Sequence, residues 1–351
     1  MYLLILLIIF LGLIKFLFLL IKNKNLTFVI ISGVTLFFIS IFRSIYFTTD
    51  VQVYVNNYVS MPYVNLSYFW SNFITNKGKD PFFYLFSKII SLTGASYRIW
   101  LAIIAGIFCY SISKFIYKYS KEPYISFIIL ISLGYFYFSL SGLRQTLALS
   151  IILLSYKYLR ERNIYKFVVF VLLGSLFHLS AIIFLIAYPL SNIKIGWKQI
   201  IGVIGALVVA YFFSERLLTL LVYFNMNEKY NYYIEHGTTL TISGFIIQLS
   251  IYLFCLYYKK NVLESDNKDI TLYNLLFLGI VFQAFSAVIA EFFRISMYFS
   301  IFSIVLIPKA INSEKDRKIK MIIYMGIFVI LVIYMLKAGS FDDFKFYWQE
   351  G

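Results

Sequence analysis

The chain has 351 residues, of which 61% are hydrophobic and only 13% charged, too few polar side chains to clothe a soluble globular protein of this size. Several runs reach the roughly 20 apolar residues that cross a bilayer as an α-helix, and the short alternating segments of a β-barrel are missing. Cys109 and Cys255, the two cysteines, lie inside apolar runs and imply neither a disulfide framework nor a zinc site, while a net charge of +15 raises nucleic acid as a partner.

Residues 2–21 form the first apolar run. It is too long for a signal-peptide core and lacks a small-residue cleavage pattern, so it reads as a span with Lys15 inside it. A second span covers 26–42. Residues 43–97 read as an outer loop that opens on Arg43 and Asp50 and ends in "FFYLFSKIISLTG", a stretch too short to span but suited to an amphipathic helix at the interface. Spans follow at 98–117, 123–140 and 142–159, the last headed by "SGLRQTLALSIILL" with Arg144 and Gln145 at its mouth. Beyond a segment at 164–190 come a span at 198–213, a second outer loop at 214–240, and spans at 241–258, 270–290, 292–311 and 319–336. The expected architecture is an all-α polytopic membrane protein of about 10–12 transmembrane helices with amphipathic outer-loop helices, forming a single integral membrane domain over residues 1–351.

The positions of the basic residues settle what the charge is for. If the turn at 22–25 is cytoplasmic, the loops near 22–25, 112–122, 157–166, 190–199, 259–269 and 309–320 share that side and hold 19 of the 31 Lys and Arg, against 11 opposite. This is the positive-inside pattern. Nucleic acid then has little left to explain. The topology requires 164–190 to begin and end on the basic side, yet its 27 residues cannot cross twice at about 1.5 Å per residue. Two short helices meeting near Gly174 to His178, re-entrant or broken, satisfy it. The alternative is one long tilted span with 190–199 outside. In either case His178 belongs to the outer half.

Ionisable groups at membrane depth are costly and mark function by default. Arg43, Asp50, Arg144, His178, Glu291 and Arg294 gather on the outer side of this topology. Plainer readings stand beside the functional ones. Arg98 suits a snorkelling residue, Glu291 and Arg294 an i, i+3 pair, Asp50 a helix cap, and His178 a hydrogen-bonded core histidine. Arg144 has no acidic residue in its own helix. In the 214–240 loop Tyr230, Tyr232 and Tyr233 suit sugar stacking or interfacial anchoring, and His236 suits a solvated position.

"SGLRQTLALSIILLSYKYL", followed about 30 residues later by "FVLLGSLFHLSAIIFL", resembles the paired signature of the EpsG family, membrane proteins of bacterial exopolysaccharide and O-antigen synthesis that are similar to Wzy polymerases. "RSIYFTTDVQVYVNNY" is similar to the family's first outer loop, "DPFFYLFSKI" to its acidic-Pro/Gly-aromatic segment, and "FRISMYFSIFSIVLIPK" to its late Arg-Tyr-Phe-Pro span. The resemblance covers residues 40–310, with one departure: Phe82 stands where the family often has Gly.

That resemblance implies a polymerase at the outer face of the bacterial cytoplasmic membrane. It would move a growing glycan from undecaprenyl diphosphate to the next lipid-linked repeat unit, with the bilayer and the lipid-linked oligosaccharide as partners and room for a chain-length regulator. The chemistry asks for guanidinium groups to neutralise the diphosphate leaving group and for a base to take the acceptor proton. Arg144, Gln145, Arg294, Tyr298 and Arg43 are the expected substrate-binding residues. His178 is the expected base, since histidine exchanges protons near neutral pH, with Glu291 and Asp50 behind it. No cofactor or metal is expected, because the chain has no Asp-x-Asp motif and only two histidines, His178 and His236. Two other classes remain open: a flippase or transporter of lipid-linked sugars, which would need a cationic cavity reachable from both faces and often internal repeats, and a membrane glycan ligase or acyltransferase.

Overall fold

A computed structural model of the protein describes residues 2–18, 23–74, 80–213, 216, 242–286, 289, 291–339, 341–342 and 344–349. Among them are eighteen α-helices and no strand. In chain order these are α1 (Tyr2–Leu17), α2 (Lys24–Phe42), α3 (Thr49–Ser60), α4 (Leu66–Ile74), α5 (Pro81–Leu92), α6 (Tyr97–Tyr119), α7 (Pro123–Ser132), α8 (Tyr135–Ser141), α9 (Leu143–Arg160) and α10 (Ile164–Phe177). There follow α11 (Ala187–Leu190), α12 (Trp197–Phe212), α13 (Ser243–Tyr257), α14 (Lys259–Ser265), α15 (Ile270–Ser286), α16 (Phe292–Ser300), α17 (Ser303–Ser313) and α18 (Arg317–Ala338). Two compact units result, Met1–Ile182 with Asp316–Gly351, and Ile183–Lys315.

The protein is an all-α polytopic membrane protein. By length and composition α2, α6, α15 with its 3-10 lead-in, and α18 can each cross a membrane, and the bent pairs α7/α8 and α16/α17 bring the total to six. Six further apolar segments are only 10–17 residues long. The sequence segments 123–140 and 292–311, expected as single helices, are therefore broken, with bends of 56° and 42°. At the first break Gly134 takes φ +79°, a left-handed conformation that a Cβ would strain. The first apolar run is helical over Tyr2–Leu17, and residues 19–21 of the expected span lie outside the described residues.

In the first unit α2 packs along α6, where a Cβ on Gly33 would collide with the Ser113 hydroxyl. Small residues that let backbones approach are the usual glue of membrane helices. Lys15, a cation inside the first apolar run, donates to the Tyr324 hydroxyl at 3.0 Å and lies 3.5 Å from Glu122. Exposed Met321, Ile322, Ile330 and Ile333 along α18, and Leu6, Leu13 and Phe16 on α1, present apolar faces fit for hydrocarbon.

The 43–97 segment, expected as an outer loop, is largely helical among its described residues. Helices α3 and α5 pack with α6 and α9 around Val51, Val55, Tyr58, Phe83, Trp100, Leu101, Leu143 and Leu147. Tyr58 stacks on Trp100 at 4.7 Å and donates to the Ala95 carbonyl at 2.8 Å. Lys88, 3% exposed, sends its ammonium into the carbonyls of Met61, Pro62 and Val64. This clamps α5 onto the turn that closes α3, a carbonyl-rich helix end where a cation is favoured. The segment 214–240, expected as the second outer loop, and with it Tyr230, Tyr232, Tyr233 and His236, lies outside the described residues apart from Arg216.

The second unit is held by buried polar contacts between helices. Gln248 donates to Gln283 at 3.0 Å and to Ser296 at 3.1 Å, and the Ser296 hydroxyl in turn reaches the Gly279 carbonyl at 2.8 Å. Lys309 and Asp269 form a buried ion pair at 2.7 Å.

The segment 164–190 breaks within the expected stretch. Helix α10 ends at Phe177, His178 is extended (φ −154°, ψ 112°), and a 3-10 turn runs over Leu179–Ile186 before α11.

Candidate functional site

The break after Phe177 turns one side chain out of an apolar helix and aims it at a carboxylate. His178 Nδ1 lies 2.7 Å from Asp80 Oδ2, and the next amide, Leu179 N–H, donates to Asp80 Oδ1 at 2.9 Å. Arg144 Nη1 reaches the same Oδ2 at 3.0 Å. A histidine, an arginine and a backbone amide thus converge on one carboxylate, although 98 and 64 positions in the chain separate His178 and Arg144 from Asp80.

Each partner is held by a local feature of the sequence. Asp80 precedes Pro81, which starts α5 with the fixed φ that suits a first helical position. Its own backbone is left-handed (φ 55°, ψ 62°), a conformation that Asp tolerates better than most residues. Its side chain does not cap α5 and is free to turn toward α9 and α10. Arg144 sits in the first turn of α9, where Tyr54 of α3 accepts its Nε–H at 3.0 Å and lies under the guanidinium, 5.6 Å from the ring centre. Gly174 allows α10 to lie close on α9, since its Cα faces the Ala148 carbonyl. Phe177 is locked edge-on against Phe82 and Phe86 of α5. Phe82, the departure from the family pattern, therefore helps seat the end of α10.

The electrostatics follow from these contacts. Burial alone would raise the Asp80 carboxyl, but the hydrogen bond and charge of His178, the Leu179 amide and Arg144 outweigh it and hold the group below the ordinary carboxylate value. Asp80 is thus an anion. A carboxylate can only accept, so Nδ1 of His178 carries the proton toward it and Nε2 of a neutral ring keeps its lone pair. This tautomer is the one a general base needs. The Asp80 side chain is 6% exposed, whereas those of Arg144 and His178 are 19% and 20% exposed, so the latter two border accessible space.

The other expected residues are spread more widely. Asp50 lies exposed in the first turn of α3, whose cap is Thr48 rather than Asp50, and its charge is felt by Tyr54 one helical turn on. Gln145 is buried beside Arg144 in the chain. Arg43 is buried against the C-terminal segment, bridging to Phe346 and donating from Nη1 to the Ser40 carbonyl. Its Nε and Nη2 meet no hydrogen-bond partner among the described residues, and burial pulls its pKa down to about 10. Arg98, expected to snorkel, lies 3.9 Å over the Tyr347 ring. Glu291, Arg294 and Tyr298 belong to the second unit: Glu291 precedes α16, the Arg294 amide bonds its carbonyl at 3.0 Å, and Tyr298 is fully buried.

Sequence reasoning missed Asp80 and Tyr54 as members of this cluster. Both lie in segments quoted for the family resemblance, "DPFFYLFSKI" and "RSIYFTTDVQVYVNNY". The available signal for Asp80 was the Asp-Pro step at a helix start whose aspartate is not needed as a cap.

The profile of the EpsG family matches residues 26–348 of the chain. No curated protein and no solved structure matches it.

Proposed function

Because the chain belongs to the EpsG family, a Wzy-like polymerase family of polysaccharide synthesis, we propose that it polymerises undecaprenyl-diphosphate-linked oligosaccharide units at the outer face of the bacterial cytoplasmic membrane. The observation that carries this reading is the Asp80–His178–Arg144 cluster. In the reaction, His178 Nε2 takes the proton of the acceptor hydroxyl as that oxygen bonds to the anomeric carbon of the donor. The bond from the anomeric carbon to the diphosphate oxygen breaks, and undecaprenyl diphosphate leaves with the electron pair. Asp80 holds the imidazole in the required tautomer and stabilises its charged form, as the aspartate of a catalytic triad does. Arg144, set by Tyr54 and Asp80, donates to the departing diphosphate.

The sequence also assigns substrate binding to Arg294, Gln145, Tyr298 and Arg43, of which the last three are buried, and offers Glu291 and Asp50 as alternative bases. Those assignments rest on the sequence. The test is deletion in the parent bacterium, complementation with wild type or His178→Gln, and analysis of the surface glycan. The reading expects single repeat units without long chains in the deletion strain and in the variant, a loss of about 10²- to 10⁴-fold for removing general base assistance. Long chains made by His178→Gln at normal levels would move the base elsewhere. Loss of every repeat unit would point to a flippase.

A further inference from the structure

At the far end of α9 from Arg144, about 20 Å away by helical rise, α6, α9 and α10 border a half-open cavity of about 270 Å³. Lys114, Lys118 and Lys157 line it over a floor that includes Leu153 and Phe170. Lys114 and Lys118 are one turn apart on α6, and Lys157 comes from the last turn of α9. Among the described residues none of the three is in an ion pair. Their ammonium groups rest on tyrosines instead: Lys114 on the Tyr110 hydroxyl at 3.1 Å, Lys118 at 5.2 Å from the Tyr119 ring, and Lys157 at 5.7 Å from the Tyr158 ring. Lys166 approaches that same Tyr158 ring from α10, also at 5.7 Å.

From this geometry we infer that the cavity binds the headgroup of an anionic glycerophospholipid. Three cations that line one cavity and form no ion pair among the described residues call for an anion, and although Glu161 as well as Arg160 acts on the lining Tyr119, the local charge stays positive. The apolar floor selects the kind of anion. A free phosphate gains nothing from Leu153 and Phe170, whereas a lipid lays the glycerol and upper acyl carbons there. Exposed Val169 and Leu173 continue that apolar surface along α10 into the hydrocarbon. Tyrosines whose rings border the cations suit the interfacial depth of a headgroup. Basic pockets between membrane helices are a recurrent way of holding such lipids.

The test is native mass spectrometry of the full-length protein released from an equimolar mixture of phosphatidylglycerol and phosphatidylcholine. Wild type is expected to keep phosphatidylglycerol preferentially. Each lysine near an anionic headgroup multiplies affinity about fivefold, so the triple variant Lys114→Gln, Lys118→Gln, Lys157→Gln is expected to lose the preference by about 10²-fold. The corresponding triple change to Arg should retain it, as should Lys315→Gln, Arg317→Gln, Lys318→Gln, which removes equal charge from another basic run. The inference is overturned if wild type keeps both lipids equally, if the cavity variant binds phosphatidylglycerol like wild type, or if the control loses as much. It is also overturned if inorganic pyrophosphate displaces the lipid at comparable concentration, which would mark a free-anion site. All three lysines are exposed, so folding is not at stake, and a negative result leaves the Asp80 cluster untouched.

Discussion

Asp80 combines a left-handed backbone, a buried carboxylate and three donors in a single residue, and each constrains the others. Because its folded pKa is depressed, its charge contributes stability that is complete above the unfolded value of about 3.9 and is lost as pH falls through the folded value. The difference in thermal unfolding between wild type and Asp80→Asn that comes from this charge should therefore shrink as pH falls below about 4. A difference that persists into strong acid would assign the effect to shape rather than charge. The same variant should lose about 10²-fold or more in polymer formation, because an amide can donate to Nδ1 and reverse the tautomer of His178. Arg144 calls for a separate substitution. Its fork holds Asp80 through Nη1 and Tyr54 through Nε, and an ammonium cannot occupy both directions. Arg144→Lys should accumulate in the membrane and fail to extend glycan; normal chains from that variant would reduce Arg144 to a generic cation.

The elements differ in how far the sequence announced them. The break at His178 was legible because a largely apolar 27-residue segment whose two flanking loops are both basic, and so expected on one side, has no room to cross twice, and the polar residues near its middle are Ser175, His178 and Ser180. Arg144 stood out as a cation at the head of an apolar helix. Asp80 and Lys88 did not stand out, since charged residues in a polar loop are ordinary, and burial of that loop depends on packing against α6 and α9 that no local pattern reports. The bend at Gly134 was missed for a related reason: hydropathy runs smoothly across it while φ reverses sign. Lys88 is the element-scale test. Its three carbonyl contacts tie α5, and so Asp80 at its head, to the end of α3. Lys88→Met keeps the stem and orphans those carbonyls, which should cost about 2–5 kcal/mol in detergent unfolding and open the 43–97 segment to protease. A Lys88→Met protein as stable and as protease-resistant as wild type would show that the clamp does not hold the loop.

Within the first unit α9 separates the Asp80 cluster from a basic end, carrying Arg144 in its first turn and Lys157 and Arg160 in its last. The topology expected from the sequence puts 19 of the 31 basic residues in cytoplasmic loops, and the proposed polymerisation at the outer face depends on that orientation. Single cysteines test this directly. The native Cys109 and Cys255 are buried and should stay silent toward an impermeant thiol reagent. Asn56→Cys, exposed on α3 next to the cluster, should label in intact cells, whereas Asn163→Cys, at the basic turn between α9 and α10, should label only after the membrane is opened. Labelling of both from one side would break the topology. A reversed pattern would be more damaging, because it would turn Asp80, His178 and Arg144 toward the cytoplasm and set the anionic-lipid cavity on the outer leaflet, and the proposed polymerisation at the outer face would fall with it.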